Sequence, residues 1–362
     1  MRMRSWAKVG LTIGFLICFY LPVAANEYYP FFRGIRAEGM GNAGIAVVDD
    51  ETSLFINPAG LGKIRGPYFS IFNAQAEMNQ TTQGAIPNNS GDATAFMSPT
   101  EALDLAVKNP NQHIHSEAQT LPAFVTTNFG IGVYGRYSVD AQVTSATNSV
   151  QMNYFNDYGA ELGYCLRLFS GRLKIGATGK IINRVYVNQT FPVTANLSLP
   201  NIAQEGTGAG LDASVMLSAP WLWLPSITAV VHDVGGTNFT LGNGIFYKTG
   251  VNPPNQAQEI NAGFGLFPIF TPRSRASITA EWDDIMTAQP LDVWRSFHAG
   301  VELNFNDVFF IRGGVNEHYW TAGLEFVVGH NQLQLASYGE EIGTAPQEVE
   351  DRRYVVQYGF RF

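Results

Sequence analysis

RYVVQYGFRF, residues 353 to 362, ends the chain with strict alternation. Successive side chains of an extended strand point to opposite faces, so Tyr354, Val356, Tyr358, Phe360 and Phe362 share one side, and Arg353, Val355, Gln357, Gly359 and Arg361 share the other. One face suits lipid and the other carries charge. The division recurs upstream. In ASITAEWDD, residues 276 to 284, Ala276, Ile278, Ala280 and Trp282 oppose Ser277, Thr279, Glu281 and Asp283. In FHAGVELNF, residues 297 to 305, Phe297, Ala299, Val301, Leu303 and Phe305 oppose His298, Gly300, Glu302 and Asn304. In GLDASVML, residues 210 to 217, Leu211, Ala213, Val215 and Leu217 oppose Asp212, Ser214 and Met216.

Period-two segments of this kind number fourteen. They lie near 68–77, 120–127, 129–138, 153–166, 172–185, 206–218, 226–234, 257–267, 274–284, 293–304, 308–315, 318–328, 331–339 and 353–362. The gaps alternate. One set is short: Asn128 alone, then 167–171, 219–225, 268–273, 305–307 and 329–330. The other is mostly long: 78–119, 139–152, 186–205, 235–256, 285–292 and 340–352, with 316–317 as its exception. An even strand count, turns segregated from loops and abundant aromatic residues are the marks of an outer-membrane barrel. Closure leaves no strand edge unpaired in hydrocarbon, where each unsatisfied amide costs several kcal/mol. The fold expected is all-β, a 14-stranded antiparallel transmembrane barrel. With the apolar faces outward, Arg136, Glu161, Lys174, Lys180, Asp212, Glu281, Glu302, Arg312, Glu325 and Arg353 fall in the lumen, where opposite charges are expected to cross-pair.

The N-terminus supplies the address. MRMRSWAK, with Arg2, Arg4 and Lys8, precedes the apolar run VGLTIGFLICFYLPVAA, in which Val23 and Ala25 have the spacing of a cleavage site. Residues 1–25 therefore read as a secretory signal peptide. Phe19 and Ile17 around Cys18 do not fit a lipoprotein site. Beyond the leader 19 basic residues face 30 acidic ones, a formal charge of about −11, which argues against a nucleic-acid partner. Cys165 then stands alone, so no intrachain disulfide is expected. No linker divides the mature chain: residues 26–66 form one irregular segment and 67–362 the barrel.

That irregular segment, NEYYPFFRGIRAEGMGNAGIAVVDDETSLFINPAGLGKIRG, holds seven glycines and an acidic cluster at Asp49, Asp50 and Glu51. Asp50 is placed to cap a short helix that Pro58 ends. The GxGxxG spacing from Gly39 to Gly44 lacks the flanking strand of a dinucleotide site, so no cofactor is expected. The stretch RAEGMGNAGIAVVDDETSLFINPAGLG resembles the N-terminal segment of the long-chain fatty acid transporter family and its outer-membrane relatives. The family's Asn-Pro-Ala element is matched by Asn57, Pro58 and Ala59, its acidic approach by Asp49 and Asp50, and its aromatic chain end by Phe362. The resemblance is specific over about residues 34 to 62. It implies a fourteen-stranded barrel plugged by an N-terminal hatch, in the bacterial outer membrane.

The transport branch implies passive movement of hydrophobic molecules past the hatch, with lateral release through the wall. Phe31, Phe32, Met40, Leu54, Phe55 and Ile56, together with Ile35 and Ile45, are then apolar ligand contacts or plug packing. The first long loop carries SPTEALDLAV, a short helix with Ser98, Pro99 and Glu101 as its start signals. It offers Lys108, His113 and His115 against Glu101, Asp104 and Glu117, no basic cluster to meet a carboxylate, so neutral hydrophobic compounds fit better than fatty acids. Outer-membrane lipids are the expected surroundings. The alternative, which the family also implies, is a non-transporting barrel whose loops near 235–256 and 340–352 bind a protein of a secretion or envelope assembly. Neither an enzyme nor a metal site is expected. His113 and His115 read as loop histidines; His232 and Asp233 point to opposite faces, and His298 and Glu302 stand two positions apart along one face, so neither pair reads as a catalytic set.

Overall fold

The computed structural model describes residues 30–89, 99–194, 198–286, 293–343 and 348–362, with side chains described only to residue 84 in the first of these ranges. The leader and Ser98 lie outside the described residues. Seventeen strand segments form one closed antiparallel sheet. Fifteen of them make up fourteen staves: β1 (Tyr68–Asn79), β2 in two pieces (His113–Thr120 and Ala123–Thr126), β3 (Phe129–Thr144), β4 (Ser149–Leu168), β5 (Leu173–Pro192), β6 (Gln204–Ser218), β7 (Ser226–His232), β8 (Glu259–Leu266), β9 (Ser274–Trp282), β10 (Phe297–Phe305), β11 (Phe309–Asn316), β12 (Tyr319–Val328), β13 (Asn331–Glu341) and β14 (Glu350–Arg361). Short strands Ile269–Thr271 and Asn238–Gly242 border β9 and β6. Pairing of β14 with β1, from Asn79↔Arg353 to Ser70↔Arg361, closes the ring. The chain is thus a 14-stranded antiparallel transmembrane barrel with an N-terminal plug.

The alternation predicts the two faces. All ten charged residues assigned to the lumen are buried, Asp212 completely. Outward positions such as Val133, Leu162, Ile181, Ile227 and Val356 are exposed. Aromatic rings gather at both rims. At the turn end Phe69 meets Phe124 at 4.6 Å and Phe309 meets Phe326 at 4.9 Å; at the loop end Phe297 meets Trp282 and Trp294 at 6.2 and 5.9 Å. These are the girdles of a membrane barrel. No helix among the described residues is long and apolar enough to cross a bilayer.

The neighbouring staves β2 to β5 run past their expected loop-side ends. About 9–11 residues cross a bilayer, yet β4 and β5 each have 20 residues and β3 has 16. The expected loop 139–152 shrinks to a tight connection at 145–148. Above the membrane the outward stripe of these strands continues as Val139, Ala141, Val143, Val150, Met152, Tyr154, Val185 and Val187, and it is buried there. The loop helix Pro99–Lys108 covers it with Ala102, Leu105 and Ala106, which share one helical face. The expected His113–His115 loop is likewise strand: both open β2 and face inward, because β2 extends beyond the bilayer on that side.

Candidate substrate path

The plug runs through residues 30–66 as α1 (Ile35–Gly39), a turn, α2 (Ser53–Ile56) and a 3-10 helix over Pro58–Lys63. It is strung between opposite walls at two places where backbone meets backbone. On one side Met40 and Gly41 lie against Gly300 of β10 and Gly314 of β11, so closely that a Cβ on either wall glycine would overlap the plug backbone. Thr321 clamps the contact, accepting from the Gly41 amide at 2.9 Å and donating to the Gly39 carbonyl at 3.1 Å. On the other side Pro58 and Ala59 sit on Gly176 of β5, where a Cβ would again overlap. Glycine is needed in such places because only it lets two backbones approach so closely. Leu54 and Leu61 press on Gly163, and Ile45 on Gly263, whereas Gly159 and Gly313 do not touch the plug.

Asn57 ties the second abutment together. Its amide nitrogen donates to the Ile45 carbonyl at 2.6 Å and to Thr228 at 3.0 Å, and its side-chain oxygen accepts from the Ala59 amide at 3.0 Å. The Ala59 amide also reaches Ser214 at 2.8 Å. Ion pairs add further ties. Arg36 forms a fork with Glu302 at 2.9 and 2.7 Å and reaches Asp49 at 2.6 Å; Arg33 meets Glu340 at 2.8 Å, and Glu51 accepts from Arg361, Asn73 and Tyr68. The Arg36 guanidinium holds the Asp49 carboxyl below its usual range. Lys63, donating to the Val47 carbonyl at 2.8 Å, is pushed down to about 8 by burial. The sequence marks Asp49, Asp50 and Asn57, but the wall partners Ser214, Thr228, Thr321 and Glu302 are recognisable only once the register is known.

The plug divides the lumen. Above it, toward the loops, is a chamber of about 290 Å³ with Phe31, Phe32, Phe55 and Ile56 in its lining; below it is a vestibule of about 1140 Å³. Between them a gap of only about 20 Å³ follows α1, sharing Gly34, Ala37, Gly44 and Ile56 with the chamber and Arg36, Val47, Asp50 and Arg361 with the vestibule. That is close to the space of a single water molecule. A second chamber of about 270 Å³ lies between the outer ends of β2, β3 and β13, beside His113, His115 and Arg136. His115 meets Asp140 at 2.7 Å and Glu77 at 3.0 Å, and Arg136 meets Glu117 at 2.7 Å.

The wall is irregular at one seam beside the plug. In β1, Ile71 and Phe72 are consecutive and both exposed, at 57% and 50%, and the pairing with β14 slips between Ser70 and Phe72. Opposite the slip β2 is broken at Leu121 and Pro122. On the β1 side Thr120 pairs with Ala74 and Ala123 with Ser70, so β1 carries one extra residue there, a β-bulge. Pro122 has no N–H to offer β1, although its carbonyl still accepts from Val133 at 2.9 Å. Behind the seam lies an apolar cluster of Phe31, Phe32, Phe55, Leu121, Tyr134, Ile182 and Phe239. Phe32 stacks on Phe55 at 5.7 Å, and Phe55 meets Tyr134 at 4.8 Å. Of the apolar candidates, Phe31, Phe32, Phe55 and Ile56 therefore come together at the chamber floor. Leu54 and Met40 instead pack, fully buried, against wall glycines.

No protein-family model matches the chain, and no curated protein matches it. Solved structures do. The toluene transporter TbuX of Ralstonia pickettii is 14% identical with a TM-score of 0.54, over 92% of this chain and 99% of that one. The monoaromatic hydrocarbon channel CymD is 8% identical with a TM-score of 0.53, over 92% and 98%. The toluene transporter TodX of P. putida is 11% identical with a TM-score of 0.50, over 92% and 99%. At such identities the likeness is one of fold, and it extends over nearly the whole of both chains: this chain has the plugged-barrel architecture implied by the resemblance of residues 34 to 62 to the long-chain fatty acid transporter family.

Proposed function

We propose that the protein is a passive channel of the bacterial outer membrane for hydrophobic small molecules, with residues 30–66 as its gate and lateral release at the seam between β1 and β2. The observation that carries this reading is the apolar cluster, which leads from the chamber floor at Phe31, Phe32 and Phe55 to Leu121, directly behind the bulge at Ile71. A hydrophobic solute leaving sideways stays on apolar surface, gaining about 25 cal/mol for each Å² kept from water. The axial gap offers it charged residues and about 20 Å³. Names of the structural neighbours, toluene transporters and a monoaromatic hydrocarbon channel, agree with small aromatic cargo.

Uptake of labelled toluene by cells lacking other hydrophobic channels tests the reading. Expression of the protein should raise uptake above that of a plug-sealed control barrel, and Leu121→Trp, which enlarges the side chain packed behind the seam, should cut the gain about tenfold. Uptake equal to the control, with a protein partner retained on purification, would replace the channel with a partner-binding barrel. The outer loop 243–251 favours that second reading. It is fixed by Glu205, whose carboxylate accepts from the amides of Ile245, Phe246, Tyr247 and Lys248 at 2.6 to 2.8 Å, and it holds Ile245, Phe246 and Val251 exposed.

A further inference from the structure

The upper chamber is unbalanced in charge. Its lining presents seven carboxylates against three permanent cations, Arg33, Lys180 and Arg295. Each cation is engaged. Lys180 meets Asp212 at 2.8 Å and Asp233 at 2.9 Å, Arg33 meets Glu340 at 2.8 Å, and Arg295 donates to the Glu341 carbonyl at 2.6 Å. The two histidines are engaged as well: His232 lies 3.8 Å from Asp212, and His298 contacts Asn316 at 2.9 Å and lies 3.5 Å from Asp283. Glu259 and Glu281, on adjacent staves β8 and β9, and Asp283 just above β9 have no lysine or arginine at ion-pair distance among the described residues.

Two of these carboxylates are incomplete in a way that points to a missing donor. Glu259 is 95% buried and its Oε2 has no hydrogen-bond partner; Oδ1 of Asp283 has none either. Both line the chamber. A buried acceptor left unmade costs about 1–3 kcal/mol, and more when it is charged. Asp283 also shares a hydrogen bond with Glu281, and burial together with that neighbour pushes its carboxyl up. A metal ion is a poor match, because no group of three or more His, Cys, Asp or Glu among the described residues is arranged to hold one. The same cavity is also lined by apolar and aromatic residues, Phe32, Phe55 and Ile56. Acceptors and rings thus share one space of about 290 Å³, near the lower end of the usual size of small-molecule sites, about 300–1,000 Å³.

We propose that the chamber selects, among small hydrophobic molecules, those with a positively charged ammonium head, which sits against Glu259 and Asp283 while the apolar body lies on Phe32, Phe55 and Ile56. Aromatic faces also favour a cation, and the excess of acid disfavours a carboxylate. The proposal rests on the channel reading and names its substrate class.

Three probes of like shape separate the possibilities by calorimetry on the detergent-purified protein: 2-phenylethylammonium, its uncharged isostere propylbenzene, and 3-phenylpropanoate. The cation should bind about tenfold tighter than either of the others, with an affinity that falls as salt is raised. Glu259→Gln and Asp283→Asn together should erase that preference and leave propylbenzene binding unchanged, which also shows that the variant is folded. Equal binding of cation and isostere by the wild type, or an unchanged preference in the variant, overturns the proposal while toluene uptake leaves the channel standing. Binding of none of the probes also overturns it, and loss of toluene uptake is the separate result that removes the channel.

Discussion

Gly176 is the residue on which the plug's position turns. Its missing Cβ leaves the space that Pro58 and Ala59 occupy, and Asn57, Ser214 and Thr228 then fix them there with hydrogen bonds. Gly179, three residues along the same strand, has open space where a Cβ would go. Gly176→Ala should therefore displace the 3-10 helix and destabilise the plugged state by about 1–3 kcal/mol, the usual cost of overpacking, while Gly179→Ala should not. Limited proteolysis of residues 30–66 and ion leak through reconstituted barrels measure this; equal behaviour of the two variants would show that the abutment does not hold the plug. Much at this scale is legible in the sequence. Alternation alone assigns the ten lumen charges, because lipid tolerates no other arrangement. Their partners are not legible: Arg36 finds Glu302 across 266 residues of sequence, and only barrel closure brings them together.

The fourteen staves can be read as elements because each has one lipid face and one polar face. What the pattern obscures is where they stop. The alternation Val139, Asp140, Ala141, Gln142, Val143 continues to the end of β3, yet above the bilayer its apolar stripe is covered by the helix Pro99–Lys108 rather than by lipid. The covering face of that helix is made of two alanines around Leu105, a weak signal beside the more conspicuous Leu103 and Val107, the latter exposed. The break in β2 is hidden differently: Pro122 is visible, but the compensating extra residue in β1 requires the pairing. Loop order also depends on one distant side chain. Glu205 supplies the acceptor for four successive loop amides. Glu205→Ala should leave the barrel's heat-resistant migration on gels unchanged and raise hydrogen exchange across 243–251 at least about tenfold, since an unsatisfied buried amide cluster opens locally. Unchanged exchange there would mean that the loop is held by its own packing.

On the proposed channel reading, two ways lead past one plug in the whole molecule. Downward, the chamber and vestibule nearly meet beside α1, through a gap lined by Arg36, Asp50 and Arg361. Sideways, the chamber floor grades into an apolar cluster that ends at a faulted wall. Hydrophobic solutes are expected to take the sideways route, since the axial one would strip them of apolar contact and force them past the ion pairs of Arg36 and Arg361. A crystal soaked with 4-bromotoluene reports the route directly through the anomalous signal of bromine. Bromine is expected in the upper chamber and again beside Phe55, Tyr134 and Leu121, behind the seam at Ile71. Bromine in the gap along α1 and in the vestibule, with none at the seam, would contradict lateral release.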